Sequence, residues 1–203
     1  MLEYLGIGPL TKHSLGLILP NTFWAPHLCH LILINFTFPT GASLLPMAGI
    51  GLVTLLLVDI PSSPYFYPDN FLQQLSILSQ LKILMIVFRS PIPNCDVERQ
   101  LLHRLIIAPI ILSNLHWFGF KGVSAYLKAI LPCITMPLLE GFHTILFHQL
   151  NFSIPQLLQF IGVAKNLRFS SAWAKLRFFQ VLLDIGVYHH NGAVKPVFSM
   201  QIL

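Results

Sequence analysis

The residues of this chain that could do chemistry are mainly its nine histidines. Two of them lie three residues apart around a cysteine in the segment PHLCH, where His27, Cys29 and His30 offer two imidazoles and a thiolate, the donors that zinc prefers. Side chains alternate sides along a strand, so these three would not converge on one ion. No second pair of ligands at zinc spacing completes a tetrahedral set. We therefore expect no metal site and no cofactor.

The acidic residues do not indicate catalysis either, because they form no spaced pair for general acid–base work. The segment GIGPLTKHS contains glycine, lysine and serine, but its spacing is not that of a phosphate-binding loop. A Gly-x-Ser-x-Gly sequence is absent, and no cysteine has a convincing histidine partner. We expect neither an enzyme nor a small-molecule site. The acidic residues are Glu3, Asp59, Asp69, Asp96, Glu98, Glu140 and Asp184.

The basic residues outnumber the acidic ones by 12 to 7, which gives a formal charge of +5. Their densest group is Lys165, Arg168, Lys175 and Arg177, with several aromatic residues nearby. A nucleic-acid surface normally clusters more lysine and arginine on one face of the fold. We interpret the group as solvated positions at the edge of a repeat and expect no nucleic-acid partner.

The composition is unusually apolar, with 55% hydrophobic and 9% charged residues, whereas a soluble domain carries about a quarter charged residues. A small integral membrane protein with short apolar helices near 42–60 and 104–120 is therefore one alternative. A spanning helix needs about 20 apolar residues, and the longest uninterrupted piece, 47–58, has 12. We favour burial of these stretches in a protein core.

A pattern of apolar-x-x-apolar-x-apolar recurs along the chain. Its copies begin 26, 24, 29, 34, 24 and 25 residues apart, mostly within the leucine-rich-repeat range of about 20 to 29. The last two apolar positions point the same way from a strand, so parallel strands stacked in sequence order would share one core. The copies are Leu2-Leu5-Ile7, Leu28-Leu31-Leu33, Leu52-Leu55-Leu57, Leu81-Leu84-Ile86, Leu115-Phe118-Phe120 and, more weakly, Leu139-Phe142-Thr144 and Ala164-Leu167-Phe169.

The linking segments carry helix signals. In YPDNFLQQLSILSQL, Asp69 or Asn70 is a candidate N-cap for a helix with one leucine face. After a strand over 115–120, Gly122 and Ser124 open a helix that packs back on the sheet, and SIPQLLQFIG predicts a further helix at 153–162. VLLDIGVYHH and PVFSMQIL read as edge strands. Together these signals predict a single α/β leucine-rich-repeat solenoid over 1–203, with parallel strands, helices on the outer side and about seven degenerate repeats.

The exposed side of such a sheet holds the candidate partner-binding residues, because positions flanking the inward leucines face away from the core. Trp117 is the strongest of them, since aromatic side chains anchor many interfaces. Packing of the same indole under an adjacent turn is the alternative interpretation. The candidates are His30, Lys82, His116, Trp117 and Lys121.

Five segments resemble, almost phrase by phrase, the leucine-rich part of F-box-like proteins of mushroom-forming fungi. They are APHLCHLILINFTFP, GLVTLLLVDIP, PIPNCDVERQLL, LHWFGFKGVSAYLKAILPCITMPLLE and FHQLNFSIPQLLQFIGVAKNLRFSSA. The resemblance covers roughly residues 2–188. It implies a solenoid that holds a protein substrate for ubiquitination, behind an F-box that docks on the Skp1-type adaptor of a cullin-based ligase.

The sequence departs from that family in two ways that bear on function. No F-box precedes the first repeat, so we expect a domain truncated at both ends, with a Skp1-type adaptor as partner only if a missing F-box exists. LEGFHT places Gly141 in a strand and Thr144 at an inward position, which weakens the repeat. A non-functional remnant is therefore a second alternative. The expected location is cytoplasmic or nuclear, or membrane under the first alternative.

Overall fold

The structure, a computed structural model, describes residues 2–8, 25–36, 51–61, 68–89 and 109–146, together with strands at 172–178, 183–189 and 198–202. The fold of this part is α/β. Its strands are β1 (Tyr4–Ile7), β2 (His30–Ile34), β3 (Thr54–Ile60), β4 (Ile83–Phe88), β5 (Ile110–Ile111), β6 (Trp117–Gly122), β7 (Ile134–Thr135), β8 (Gly141–Leu146), β9 (Ala172–Phe178), β10 (Leu183–His189) and β11 (Phe198–Ile202). Its helices are α1 (Pro68–Ser76) and α2 (Ser124–Ile130), and a 3-10 turn, Leu131–Cys133, follows α2.

One sheet in the described part of the chain has nine strands, in the order β1-β2-β3-β4-β6-β8-β11-β10-β9. The first six strands of this sheet, β1, β2, β3, β4, β6 and β8, are each parallel to their neighbours and follow chain order. β11 continues the parallel set beside β8, whereas β10 runs antiparallel to both β11 and β9. The short β5 and β7 pair separately, also in parallel. The predicted parallel sheet is thus confirmed for six consecutive strands, and it gives way to one reversed strand near the far edge.

The predicted apolar triplets set the register of the parallel strands. Since a slip of one residue would turn a whole row of side chains to the other face, burial of these rows fixes the alignment. The middle residues align as Leu5, Leu31, Leu55, Leu84, Phe118 and Phe142, and the third residues as Ile7, Leu33, Leu57, Ile86, Phe120 and Thr144. The first residues Leu28, Leu52, Leu81, Leu115 and Leu139 are at most 2% exposed. The seventh copy, at 164–169, lies outside the described residues.

A fourth apolar position belongs to the repeat, three residues before the first leucine, and the sequence analysis missed it. Its residues are buried and their carbonyls accept a bond from the N–H of that leucine, which closes a turn ahead of the strand. These turns are Ala25 to Leu28 at 3.1 Å, Leu78 to Leu81 at 3.1 Å, Leu112 to Leu115 at 3.2 Å and Met136 to Leu139 at 3.3 Å. In these four repeats the same turn precedes the strand, so the strands begin at equivalent positions in the sheet.

Two residues near the ends of β2 and β3 adopt a left-handed backbone conformation. Asn35 and Asp59 occupy equivalent positions after β2 and within β3, and their φ angles are 52° and 54°. Asparagine and aspartate tolerate this left-handed region better than other residues with a side chain. The twist it introduces returns the next residues, Phe36 and Ile60, to the core, where both are 2% exposed.

Helix α1 lies on the core face of the sheet. It begins at Pro68, one residue before the earlier of the two predicted caps, and proline suits a first helical position because no N–H is needed there. Asp69 consequently lies in the first turn, where a carboxylate stabilises the helix dipole. Phe71, Leu72 and Leu75 are at most 1% exposed, which confirms the predicted leucine face.

Helix α2 covers the same face, as predicted. Tyr126 is fully buried, and its ring lies 5.1 Å from Phe88 and 6.1 Å from Phe120. Gly122 does not open this helix. It ends β6 instead, and a Cβ there would lie 2.7 Å from ring atoms of both Phe88 and Phe120. Glycine at 122 therefore makes room for the aromatic cluster under α2.

Three expectations about other segments have different outcomes. The edge-strand prediction was wrong: β10 and β11 are interior strands, and β9, which holds Lys175 and Arg177, lies at that end of the sheet. The helix predicted at 153–162 lies outside the described residues. Within the described residues, no helix is long and apolar enough to span a membrane, and the described parts of 42–60 and 104–120 include β3, β5 and β6 rather than helices.

The sixth triplet has a threonine, Thr144, at a buried position, and this residue allows a prediction about stability. Thr144 is 1% exposed, and its Oγ1 has no hydrogen-bond partner among the described residues. Replacing it with valine removes that buried hydroxyl at nearly constant shape, so we expect Thr144→Val to raise the free energy of unfolding by about 1 kcal/mol in urea titrations. Thr54→Val is the matched control: Thr54 Oγ1 lies 3.0 Å from His30 Nδ1, so this change should not stabilise. Equal gains from both variants would contradict the explanation.

Candidate protein-binding face

The sheet has a second face, opposite α1 and α2, which we call the open face. It is formed by the strand positions that alternate with the buried triplets. Apart from His30, Thr54, Lys121 and His143, it is built from apolar side chains and glycine. Its residues are Tyr4, Gly6, His30, Ile32, Ile34, Thr54, Leu56, Val58, Ile83, Met85, Val87, Trp117, Gly119, Lys121, Gly141, His143 and Ile145.

The open face remains accessible although it is apolar. Ile34 and Ile83 are each 38% exposed and Tyr4 is 57% exposed, whereas residues one position away in the same strands, such as Leu33 and Leu84, are fully buried. The exposed apolar residues lie on three different strands, and other positions of the same face, such as Val87 at 9%, are buried. Accessible apolar side chains on one side of a sheet make this face the candidate interaction surface.

Trp117 lies at the start of β6, with its ring lying along the open face of the sheet. A Cβ built on Gly119 would lie 2.6 Å from two atoms of its six-membered ring, and a Cβ on Gly141 would lie 2.6 Å from Cδ1 of its five-membered ring. Gly119 is two residues along β6, and Gly141 is the residue paired with Trp117 on β8. The two glycines thus form a seat for the indole. One ring face packs on the sheet, and the side chain remains half-buried rather than fully covered.

This arrangement bears on one of the two interpretations of Trp117. The indole is packed, but against the glycines of the open face rather than under a turn. Gly141 lies in a strand, as the sequence suggested, and the absence of a Cβ there leaves room for Trp117. Pairing of an aromatic side chain with a glycine on the neighbouring strand is a known way to stabilise a sheet at such a residue.

A polar row crosses the other end of the open face. The ring of Tyr4 on β1 lies 6.2 Å from that of His30 on β2. His30 Nδ1 lies 3.0 Å from Thr54 Oγ1 on β3. These three residues are directly paired along the sheet, so His30 is held in place by both neighbouring strands.

The margin of the open face, where the strands begin, has a regular backbone pattern. The residue before each strand donates its N–H to the carbonyl of the equivalent residue in the preceding repeat. These bonds run from Cys29 to Glu3 at 2.9 Å, Val53 to Cys29 at 2.7 Å, Lys82 to Val53 at 2.8 Å, His116 to Lys82 at 2.9 Å and Glu140 to His116 at 2.8 Å. The margin consequently places the side chains of Lys82, His116 and Glu140 on successive strands.

One contact between polar side chains lies on this margin. His116 Nδ1 lies 3.0 Å from Glu140 Oε1, and the two side chains are 39% and 77% exposed. A polar contact this open to water contributes little to stability. We therefore expect Glu140→Gln to change the free energy of unfolding by less than about 0.5 kcal/mol, measured by urea titration at low and high salt. A loss of several kcal/mol would show that the pair holds the strands together.

The five predicted contact residues divide between the two regions. His30, Trp117 and Lys121 lie on the open face, while Lys82 and His116 lie on its margin. Lys82, His116 and Trp117 are brought together at the start of β4 and β6. His30 lies three strands from Trp117, about 14 Å at the usual strand spacing. The sequence analysis did not identify Ile83, Met85 and the paired glycines as one surface with Trp117, although the 24-residue spacing of Trp117 and Gly141 was a usable signal.

The thiols of Cys29 and Cys133 contact backbone carbonyls close to them in sequence. Cys29 donates its thiol to the carbonyl of His27 at 3.6 Å, within the PHLCH segment. Cys133 is buried, and burial, followed by the charge of Asp69, raises the pKa of its thiol. Among the described residues no group of three His, Cys, Asp or Glu side chains could hold a metal ion.

Comparison with known proteins places this chain in no group: no family model, no curated protein and no solved structure matches it.

Proposed function

We propose that this chain is a leucine-rich-repeat solenoid that binds another protein on its open face and performs no chemistry. The observation that carries this proposal is the seat of Trp117, which holds a large, half-buried aromatic ring on the open face at the start of β6. Aromatic side chains in such positions contribute most to many protein interfaces. A rigidly seated ring also loses little conformational entropy on binding.

The regular spacing of the strands supports the repeat assignment. Six parallel strands follow chain order, and their triplets align at every junction from β1 to β8. A leucine-rich repeat has asparagine or cysteine three residues after the last leucine of the triplet. Among the described residues those positions are Phe36, Ile60, Arg89 and Val123. Phe36, Ile60 and Val123 are buried and Arg89 is exposed, so apolar packing replaces the usual polar ladder at three of the four.

The resemblance to F-box-like proteins gives the proposed binding its biological setting. The bound protein would be a substrate presented for ubiquitination, in the cytoplasm or nucleus. A Skp1-type adaptor would join only through an F-box elsewhere in the same protein. A direct check is to precipitate the endogenous protein from fungal cells and probe for the adaptor and for a polypeptide longer than this chain.

Site-specific photocrosslinking in fungal cells tests the binding face. A photoreactive phenylalanine analogue replaces Ile83 on the open face or Ile77 after α1, which are 38% and 47% exposed. Because both positions are accessible, a difference in crosslinking between them reports which face binds a partner rather than how exposed the residue is. We expect a discrete crosslinked protein from position 83 that is lost when Trp117 is replaced by alanine, and no such product from position 77.

Two outcomes would overturn the proposal. The first is the same set of crosslinked proteins from both positions, which indicates nonspecific contact with apolar surface. The second is no product from position 83 while the variant folds normally and the probe reacts on irradiation.

A further inference from the structure

Among the described strands, β1 lies at one end of the sheet, and its side chains are more exposed than their equivalents in the next strands. Leu2, Leu5 and Ile7 form the first apolar triplet, but Leu2 is 48% exposed while the equivalent leucines of the next five repeats are at most 2% exposed. Leu5 and Ile7 are only partly buried, whereas Leu31 and Leu33 are 3% and 0% exposed. The first apolar triplet therefore forms a partly open apolar surface on β1.

The backbone of β1 has N–H and C=O groups that point away from β2. The carbonyl of Glu3 accepts the N–H of His30 at 3.0 Å, so it points toward β2. Backbone groups alternate in direction along a strand, and Leu5 and Ile7 therefore point toward β2 as well, while Tyr4 and Gly6 point outward. Among the described strands, β1 is the end of the sheet. Its outward N–H and C=O groups offer a ready template for another strand.

We propose that two copies of this chain associate through β1, with the two strands antiparallel about a two-fold axis at Gly6. The axis is perpendicular to the sheet, so both core faces lie on one side and both open faces on the other. This surface is separate from the open face, and the inference goes beyond the proposed binding function.

The sequence of β1 is self-complementary in this arrangement. Residues directly opposite each other in an antiparallel pair lie on the same face. With the axis at Gly6, Leu5 lies opposite Ile7 of the second copy on the core face, and the same pair forms a second time by symmetry. Gly6 lies opposite Gly6 of the second copy, and their outward N–H and C=O groups form the central hydrogen bonds. The two open apolar ends thereby cover each other.

Sedimentation velocity over a wide concentration series tests this proposal on the full chain. We expect wild type to form a dimer, and Gly6→Pro to raise the dissociation constant by at least about tenfold. Proline removes an N–H that points away from β2, so the β1–β2 pairing is kept. Gly6→Ala is the matched control, because it retains the N–H and its Cβ would lie 3.5 Å from Tyr4, an ordinary contact. Ile111→Lys, at a residue 65% exposed elsewhere, should also leave the dimer intact.

Cysteine crosslinking keeps the proposal testable if Gly6→Pro does not fold. In a background with the native cysteines replaced by alanine, a mixture of Leu5→Cys and Ile7→Cys chains should form disulfide-linked dimers in oxidising buffer, and more efficiently than either chain alone. A wild-type chain that is monomeric at every concentration would overturn the proposal. A folded Gly6→Pro variant that dimerises like wild type, or equal crosslinking in all three samples, would do the same.

Discussion

Replacing Leu84 with alanine should lower the free energy of unfolding by about 3 kcal/mol, the loss typical of a fully buried leucine. Leu84 is the middle residue of the β4 triplet, it is fully buried, and it is paired with Leu55 on one side and Phe118 on the other. The truncation leaves a cavity inside the row that aligns the parallel strands. Urea titration followed by circular dichroism measures the change.

The neighbouring residue provides the control for this experiment. Ile83 is on the same strand but on the open face, and it is 38% exposed. Ile83→Ala should cost about 1 kcal/mol, clearly less than Leu84→Ala, since more than a third of Ile83 is already exposed to water before unfolding. Equal losses at 83 and 84 would contradict the assignment of the two faces. A poorly folded remnant would show no cooperative transition in wild type, whereas we expect one.

The second large effect concerns the seat of Trp117. Gly141→Val should lower the free energy of unfolding by about 1 to 3 kcal/mol, because the new side chain occupies space that the indole fills. A Cβ alone would already approach Trp117 Cδ1 to 2.6 Å. Valine favours strands in general, so a loss at this position would be due to the indole and not to the backbone.

A double-mutant cycle separates these causes. In a Trp117→Ala background the same Gly141→Val change should be neutral or stabilising, with a coupling energy of at least about 1 kcal/mol between the two positions. The emission spectrum of Trp117 in Gly141→Val, compared with wild type in a background lacking the other two tryptophans, reports whether the ring has left its seat. Additive effects of the two substitutions would contradict direct packing of the indole on Gly141.

The core of the sheet was accessible to sequence analysis because one physical rule governs it. Each inward strand position must be apolar, and the spacing of about 24 to 34 residues brings equivalent positions together. Leu31, Leu55 and Leu84 could therefore be assigned from the sequence alone to one row of inward side chains. Ala25, Leu78 and Leu112 could not, since they lie in turns ahead of the strands and apolar residues are common throughout this chain.

The far end of the sheet was predicted less well for a different reason. Lys175 and Arg177 gave β9 the appearance of a solvated segment, although charged residues are frequent on edge strands. The direction of β10 and the interior place of β11 depend on long-range pairing, which local patterns do not encode. The candidate face was predicted in part: Trp117 was identified, but its seat requires knowing that Gly141 is its partner in register.

The central claim is that β1, β2, β3, β4, β6 and β8 are parallel neighbours in chain order with their triplets aligned, and nuclear Overhauser contacts test it most directly. Antiparallel neighbours bring opposing Hα atoms into close contact, and parallel neighbours do not. Isotope-edited spectra should show Hα–Hα contacts at every second residue pair between β9, β10 and β11, and therefore at either Ile185–Leu176 or Gly186–Lys175. Between β2, β3, β4 and β6 they should show only amide–Hα contacts in register, such as those around Leu84 and Phe118. Strong Hα–Hα contacts between β3 and β4 would contradict the account.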